Sequence, residues 1–358
     1  MPRNGYLLFE PSIEQPRADE AETIKTIVAS IERTSRSSSG HGIRQQHAKS
    51  HGFLRGELIV YDLPDHLRQG MFATPRTYPI IIRLSTAFGE IRSDRVRRPR
   101  GMAIKVLGVS GPKALTDDKS SNQDFLLVNH KSYISDAAAY LKNAQRIFEV
   151  QPIFPDFAIR ALGFISRILV KLKSAGAPIP VLAGALADPG ANIIGETFYS
   201  EGALRFGDYV ARLAAAPISD AARALTGQPA YHDDDELLHS VVEFFSKNSA
   251  EYELRAQLCV DLQRTPVEDS SIDWPEDIAP FQPLAKIVLP SQAANSPARR
   301  AYVDDVLSFN PWRCLADHQP LGSIMRLRKD AYRRSAVLRH EWNNKPMAEP
   351  QDISELPD

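Results

Sequence analysis

Cysteine is scarce. Only Cys259 and Cys314 occur in 358 residues, far apart and without Cys-x-x-Cys spacing. That spacing leaves no disulfide framework and no structural zinc, and it suits a reducing compartment. An excess of charge is also missing. The 43 basic and 44 acidic residues give a formal net charge of −1, so there is no global electrostatic case for nucleic acid or an anionic membrane. No run is long and apolar enough to span a bilayer, and the opening residues lack the apolar core of a signal peptide. The expected location is therefore cytoplasmic. HExxH, P-loop, GxGxxG and GxSxG patterns are all absent, which removes the commonest hydrolase and nucleotide-binding readings. The length allows one large domain or two ordinary ones.

What is present begins with a helical spacing over Ala18–Ile31 and a Ser/Arg-rich segment, Arg33–Gly40, read as a linker. From Phe53 the pattern alternates: Leu54, Gly56, Leu58 and Val60 against Arg55, Glu57 and Ile59. Ile80–Leu84, Met102–Leu107 and Phe125–Val128 are further strand candidates, so the first third is β-rich. Phe157, Leu162, Ile165, Ile168, Leu169 and Leu172 then recur at helical spacing, with Arg160, Arg167, Lys171 and Lys173 between them. The expected role is an ordinary core-packing helix. The alternative is a basic amphipathic surface helix that touches lipid or admits a lipophilic substrate. Pro178–Gly190 reads as loop. Strands are expected at Arg205–Leu213, Glu251–Leu262 and Ala285–Leu289, and helices at Asp233–Ser246 and Ser323–Arg339. Interleaving without βαβ regularity favours an α+β fold.

Several clusters invite chemistry. His232 to His239 is the densest set of metal-ligand types, but acidic residues opening a helix are usually caps and dipole partners. Arg92, Arg95, Arg97, Arg98 and Arg100 form the densest positive run, read as structuring a loop or meeting cofactor carboxylates. On the last helix, Arg328 and Tyr332 stand four apart and so share a face. A guanidinium there favours phenolate, one of the few protein ligands used for ferric haem. Alone, the pair is common on helices. His47, just before the first strand, is by itself a general acid/base, a metal ligand or neither.

Together the motifs resemble the catalase superfamily, in the family's order and from about residue 44 to 340. Arg44-Gln45-Gln46-His47-Ala48-Lys49 resembles its distal-histidine segment. Ile82 to Glu90 and Arg98 to Lys105 resemble the next two strands. Ser121-Asn122 to Leu127 is similar to the distal-asparagine segment, and Arg328 to Tyr332 with Arg339 to the proximal helix. The Pro-Asp-Thr-His that follows the tyrosine in true catalases is replaced by Arg333-Arg334-Ser335-Ala336. The chain ends soon after, without C-terminal helices or a flavodoxin-like extension. Phe309 to Trp312, His318 to Gly322 and Arg326-x-Arg328 are more like the short catalase-related branch, which includes the allene oxide synthase domain and small bacterial catalase-like peroxidases.

The resemblance implies an antiparallel β-barrel around a haem b pocket with packed helices, as residues 41–342, between an N-terminal arm (1–40) and a C-terminal tail (343–358). It implies Tyr332 as the haem-iron ligand and Arg328 as the stabiliser of its phenolate. His47 would be the distal acid/base, Ser85 would hold its ring, and Asn122 would orient the peroxide. Arg44, Arg83 and Arg339 would pair with the propionates. Gln46 replaces the family's Val or Thr, and an amide there argues against efficient hydrogen peroxide dismutation. The expected activity is reduction of organic hydroperoxides, such as those of fatty acids, and of hydrogen peroxide by an external electron donor. Weak catalase, hydroperoxide rearrangement, and haem or lipid binding without turnover are the alternatives. Nucleic acid and stable membrane insertion are not expected; transient lipid contact and a homo-oligomer are compatible with the resemblance.

Overall fold

The structure is a computed structural model that describes residues 4–37, 40–130, 132, 134–145, 153–173, 183 and 186–358. Its strands are β1 (Lys49–Val60), β2 (Thr77–Thr86), β3 (Arg100–Val106), β4 (Gln123–Val128), β5 (Phe198–Ser200), β6 (Ala203–Phe206), β7 (Tyr209–Pro217), β8 (Ala250–Leu258), β9 (Phe281–Leu289) and β10 (Pro320–Leu321). The longer helices are α1 (Glu20–Ser37), α2 (Asp156–Lys173), α3 (Glu236–Lys247) and α4 (Ser323–Asn343).

Strand order β7-β5-β4-β3-β2-β1-β9-β8 closes on itself through the β7–β8 pairing, all antiparallel. An eight-stranded barrel results, which leaves no free edge along the closed ring. β6 pairs with β7, and β10 with β6. This is the α+β, catalase-like barrel the sequence implied.

Alternation builds the core. Leu54, Leu58, Ile80, Ile82, Leu84, Met102, Ile104, Phe125 and Leu127 fill the interior. Their neighbours Phe53, Ile81, Ala103 and Leu126 face outward, against Leu307, Phe309 and the tail residue Leu356. Successive residues of a strand point to opposite faces, so Arg83 and Ser85 also lie on that outer face.

Several expectations shift. β1 begins at Lys49, four residues ahead of Phe53, because Lys49 and Ser50 pair with Thr86 and Ser85 across a bulge. The strand expected at Arg205–Leu213 is a hairpin, β6 and β7, turned at Gly207 with φ 58°. The Ser/Arg segment continues α1 to Ser37 instead of opening as a linker, with Ile24 and Ile27 of that helix packed on Leu327 of α4. The N-terminal segment is also tied to the barrel, where the Leu7 and Phe9 amides donate to the carbonyls of Cys259 and Asp208. α2 departs from the core-helix expectation: among its residues whose burial is described, Ile159 is the buried large hydrophobic, while Phe157, Leu162, Phe164, Ile165, Ile168, Leu169 and Val170 are exposed. Most of the loop at 178–190 lies outside the described residues. Both cysteines are free and buried. Among the described residues no helix is long and apolar enough to cross a membrane.

Candidate active site

One cavity gathers most of the residues singled out above. It lies on the outer face of β2, β3 and β4, beneath α4. Its lining includes Arg44, Gln46, His47, Arg83, Ser85, Arg328, Tyr332 and Arg339 among apolar Ala103, Leu126, Val128, Phe309 and Ala331. It holds about 790 Å³ of unfilled space, its open side included.

His47 enters it from the turn before β1. Its backbone takes φ 56°, a left-handed conformation uncommon outside glycine and often kept at functional sites. The turn is fastened by Arg83 Nη2, which donates to the His47 carbonyl at 2.6 Å, and by the Ala48 amide, which donates to Phe88 at 2.9 Å. On the ring, Nδ1 lies 3.2 Å from Ser85 Oγ. Gly101 backs the ring: a Cβ there would stand 2.5 and 2.6 Å from its Cε1 and Nδ1. Desolvation, then the nearby cations Arg83 and Arg328, push the imidazole down to about 3. His47 is therefore neutral at ordinary pH.

Tyr332 comes from α4. This helix is preceded by Gly322, whose φ of 89° and close approach to the Val267 carbonyl exclude a side chain. Arg328, one turn before Tyr332, donates from Nη2 to the phenol oxygen at 3.0 Å. Its Nη1 pairs with Glu201 at 3.0 Å. Desolvation works against the buried guanidinium's charge, but the negative charge available at Tyr332 and Glu201 outweighs it and raises its pKa. Glu201 was not anticipated. It lies over a hundred residues away in sequence, just after β5, a three-residue strand with no alternation to read.

At one side of the cavity three guanidiniums share Asp304. Arg44 Nη1 donates to it at 2.6 Å, and Arg83 Nε lies at 3.5 Å. Arg339 donates to the Asp304 and Leu307 carbonyls. Burial first, and then Arg44, push Arg83 and Arg339 down to about 9. Asp304 stays below the usual carboxylate range despite its burial, because Arg44 and Arg83 face it. Arginine remains cationic at neutral pH, so this patch carries more positive charge than Asp304 neutralises. Asp304 too was missed, since a helical turn at Tyr302–Val306 delivers it from far along the chain.

Asn122 is the exception. Its amide nitrogen donates to the Pro350 carbonyl at 3.0 Å and reaches Glu349 at 3.3 Å, so the tail covers it and it does not line the cavity. It stands just before β4, four residues ahead of Leu126, which does line the cavity. Two amides do line the cavity, Gln45 and Gln46. The Arg92–Arg100 run lies elsewhere and structures a loop. Arg98 pairs with Glu90 at 2.8 Å, Arg92 with Asp156, and Arg97 stacks on Tyr231. The acidic stretch before α3 makes local contacts and does not cap the helix: Glu236 accepts from the His232 backbone, Lys49 binds Asp235 at 3.0 Å, N-cap Asp235 makes no side-chain cap bond, and the Leu237 amide donates to Asp94 instead. Among the described residues no cluster is arranged to hold a metal ion.

No protein-family model matches the chain, and no curated protein matches it. Solved structures do. The barrel and its helices belong to the catalase-like class of folds. A fungal catalase superposes with a TM-score of 0.59 at 16% identity, covering 98% of this chain and 72% of that one. Catalase A from Saccharomyces cerevisiae gives 0.56 at 17%, over 98% and 74%. A bacterial catalase gives 0.53 at 15%, over 99% and 68%. At such identities the likeness establishes the fold.

Proposed function

We propose that the protein is a haem-dependent enzyme that reduces peroxides, organic hydroperoxides above all, with electrons from an external donor. The observation that carries this reading is one cavity lined by a neutral His47 with Ser85, by the Arg328–Tyr332 pair, and by the arginines around Asp304. These residues fit the cofactor. Tyr332 offers an oxygen ligand, to which Arg328 donates at 3.0 Å. Arg44, Arg83 and Arg339 supply surplus positive charge for two carboxylates. Arg328 Nε is a buried donor left without an acceptor among the described residues, and the apolar wall suits a macrocycle. When bound, haem supplies the iron at which the peroxide O–O bond breaks.

The chain's own residues then do the following. The neutral imidazole of His47 takes the hydroperoxide proton and returns it to the departing oxygen, leaving an alcohol or water. Such general acid/base work contributes about 10²–10⁴-fold. If Ser85 Oγ accepts from Nδ1–H, the tautomer leaves Nε2 as the proton acceptor. Gly101 keeps the ring in place, and Gln46 offers the hydrogen-bonding amide. Leu126, Val128 and Phe309 exclude water and favour an apolar peroxide.

Weak catalase activity is the second reading, and the same residues disfavour it. Gln46 stands where the resemblance gives Val or Thr, and the Asn122 amide nitrogen is engaged by the Pro350 carbonyl and not free for hydrogen peroxide. The test uses haem-loaded protein with cumene hydroperoxide and a reductant such as guaiacol. Donor oxidation in step with peroxide loss, with little oxygen from hydrogen peroxide, is expected. Vigorous oxygen evolution assigns a catalase, donor-free loss of a fatty acid hydroperoxide an isomerase, and no turnover a binding protein; each overturns the proposal.

A further inference from the structure

α2 turns its apolar side outward. Phe157 is 74% exposed, Phe164 61%, Ile165 51%, Leu162 47% and Ile168 46%. At 3.6 residues per turn these fall, with Leu169, in an arc of about 160°. The opposite side, with Ile159, Gly163 and Ser166, is the buried one. Among the described residues nothing covers the apolar arc. Ile153 and Phe154, just before the helix, are exposed as well. A contiguous exposed patch of this kind marks an interaction surface.

Charge identifies the occupant. Arg160, Arg167 and Lys171 form a strip along one edge of the arc. The helix's one acidic residue, Asp156, sits at its start and is paired with Arg92. Beside the strip, Arg95 and Arg97 join Arg160 and Arg167 around a shallow cleft between Phe157 and Phe164. The cations thus gather where the apolar side ends. That is the layout of a helix lying in a membrane interface, with side chains among the acyl chains and cations among anionic headgroups. The overall charge of −1 hides it, because the positive charge is local.

We propose that α2 docks the protein on an anionic lipid surface, with its apolar arc in the acyl boundary and its basic edge among the headgroup phosphates. The proposal stands on α2 and the cations flanking it, none of which the haem reading uses, so it fails or holds separately from that reading.

The test is cosedimentation of the full chain with vesicles of phosphatidylcholine alone, and of phosphatidylcholine with about one third phosphatidylserine. Binding to the anionic vesicles, weakened by salt, is expected. Ile168→Asp should lower partitioning about ten-fold or more, and Arg160→Gln about five-fold. Both side chains are exposed, so circular dichroism and melting should match the parent. No binding to either vesicle overturns the proposal, as does binding untouched by Ile168→Asp. A dimer by sedimentation velocity that Ile168→Asp dissociates, without vesicle binding, would give the surface to a second copy and overturn it too.

Discussion

Replacing Gly101 by alanine perturbs His47 without removing it. The added Cβ would stand 2.5 Å from Cε1, 2.6 Å from Nδ1 and 3.2 Å from Ser85 Oγ. Ordinary contact needs about 3.5–4.0 Å between carbons, so the ring must retreat by about 1 Å. β3 is paired on both sides, with Gly101 opposite Ser85 and Val128, and cannot yield instead. The strain should cost about 1–3 kcal/mol of stability, read from a denaturant midpoint. Displacing a catalytic group by that distance costs on the order of 100-fold in rate. The assay is donor-dependent loss of cumene hydroperoxide by haem-loaded Gly101→Ala, with haem content fixed by absorbance. Ser85→Ala provides the milder comparison: it removes one contact to Nδ1 and should cost less than the glycine change. A folded, haem-replete Gly101→Ala enzyme at parental rate would refute the placement of the ring, and with it the role of His47.

Other expectations concern charge and chemistry. Glu349→Ala should destabilise the protein by about 3 kcal/mol, because Lys105 and Arg313 lose a partner in a buried network at 2.6 and 3.0 Å; the tail should also become protease-sensitive. Burial, and then Asp188, push Glu196 up to about 7 from its ordinary 4.5. The folded state therefore holds this proton longer than the unfolded chain, and stability should fall as pH rises from 4.5 through 7, by about 3 kcal/mol. Glu196→Gln should flatten that slope in urea titrations across the window; an unchanged slope rejects the assignment. Gln46→Val should raise the ratio of oxygen evolution to donor oxidation, and an unaltered ratio would mean this amide does not tune the chemistry.

Much of the barrel was legible, because its strands bury one face and so alternate. β2, β3 and β4 appeared with boundaries off by a few residues. β5 was missed because three residues cannot display a period. β6 and β7 merged because a tight turn at Gly207 interrupts the alternation only briefly. α1 continued through serines and arginines since packing of Ile24 and Ile27 on α4 outweighs weak propensity. In the site, residues carried by local motifs came together: His47, Ser85, Arg83 and the Arg328–Tyr332 pair. Asp304 and Glu201 stayed hidden, since a lone carboxylate has no local pattern that names its distant partner. The contacts of Asn122 with Glu349 and Pro350 were hidden for a related reason: its position in the chain gives no sign that the tail will meet it. α2 illustrates the limit of periodicity, which shows that a helix has an apolar side but not whether anything covers it.

The central claim is that Tyr332 holds the iron of a haem in this cavity. The direct measurement is the absorption spectrum and haem stoichiometry of the parent and Tyr332→Phe, each reconstituted with hemin and compared for fold by circular dichroism. The account predicts stoichiometric haem in the parent, with a ferric spectrum and its phenolate charge-transfer bands. In Tyr332→Phe those bands should be lost and haem retention sharply reduced. An identical spectrum and occupancy in the two proteins would contradict it.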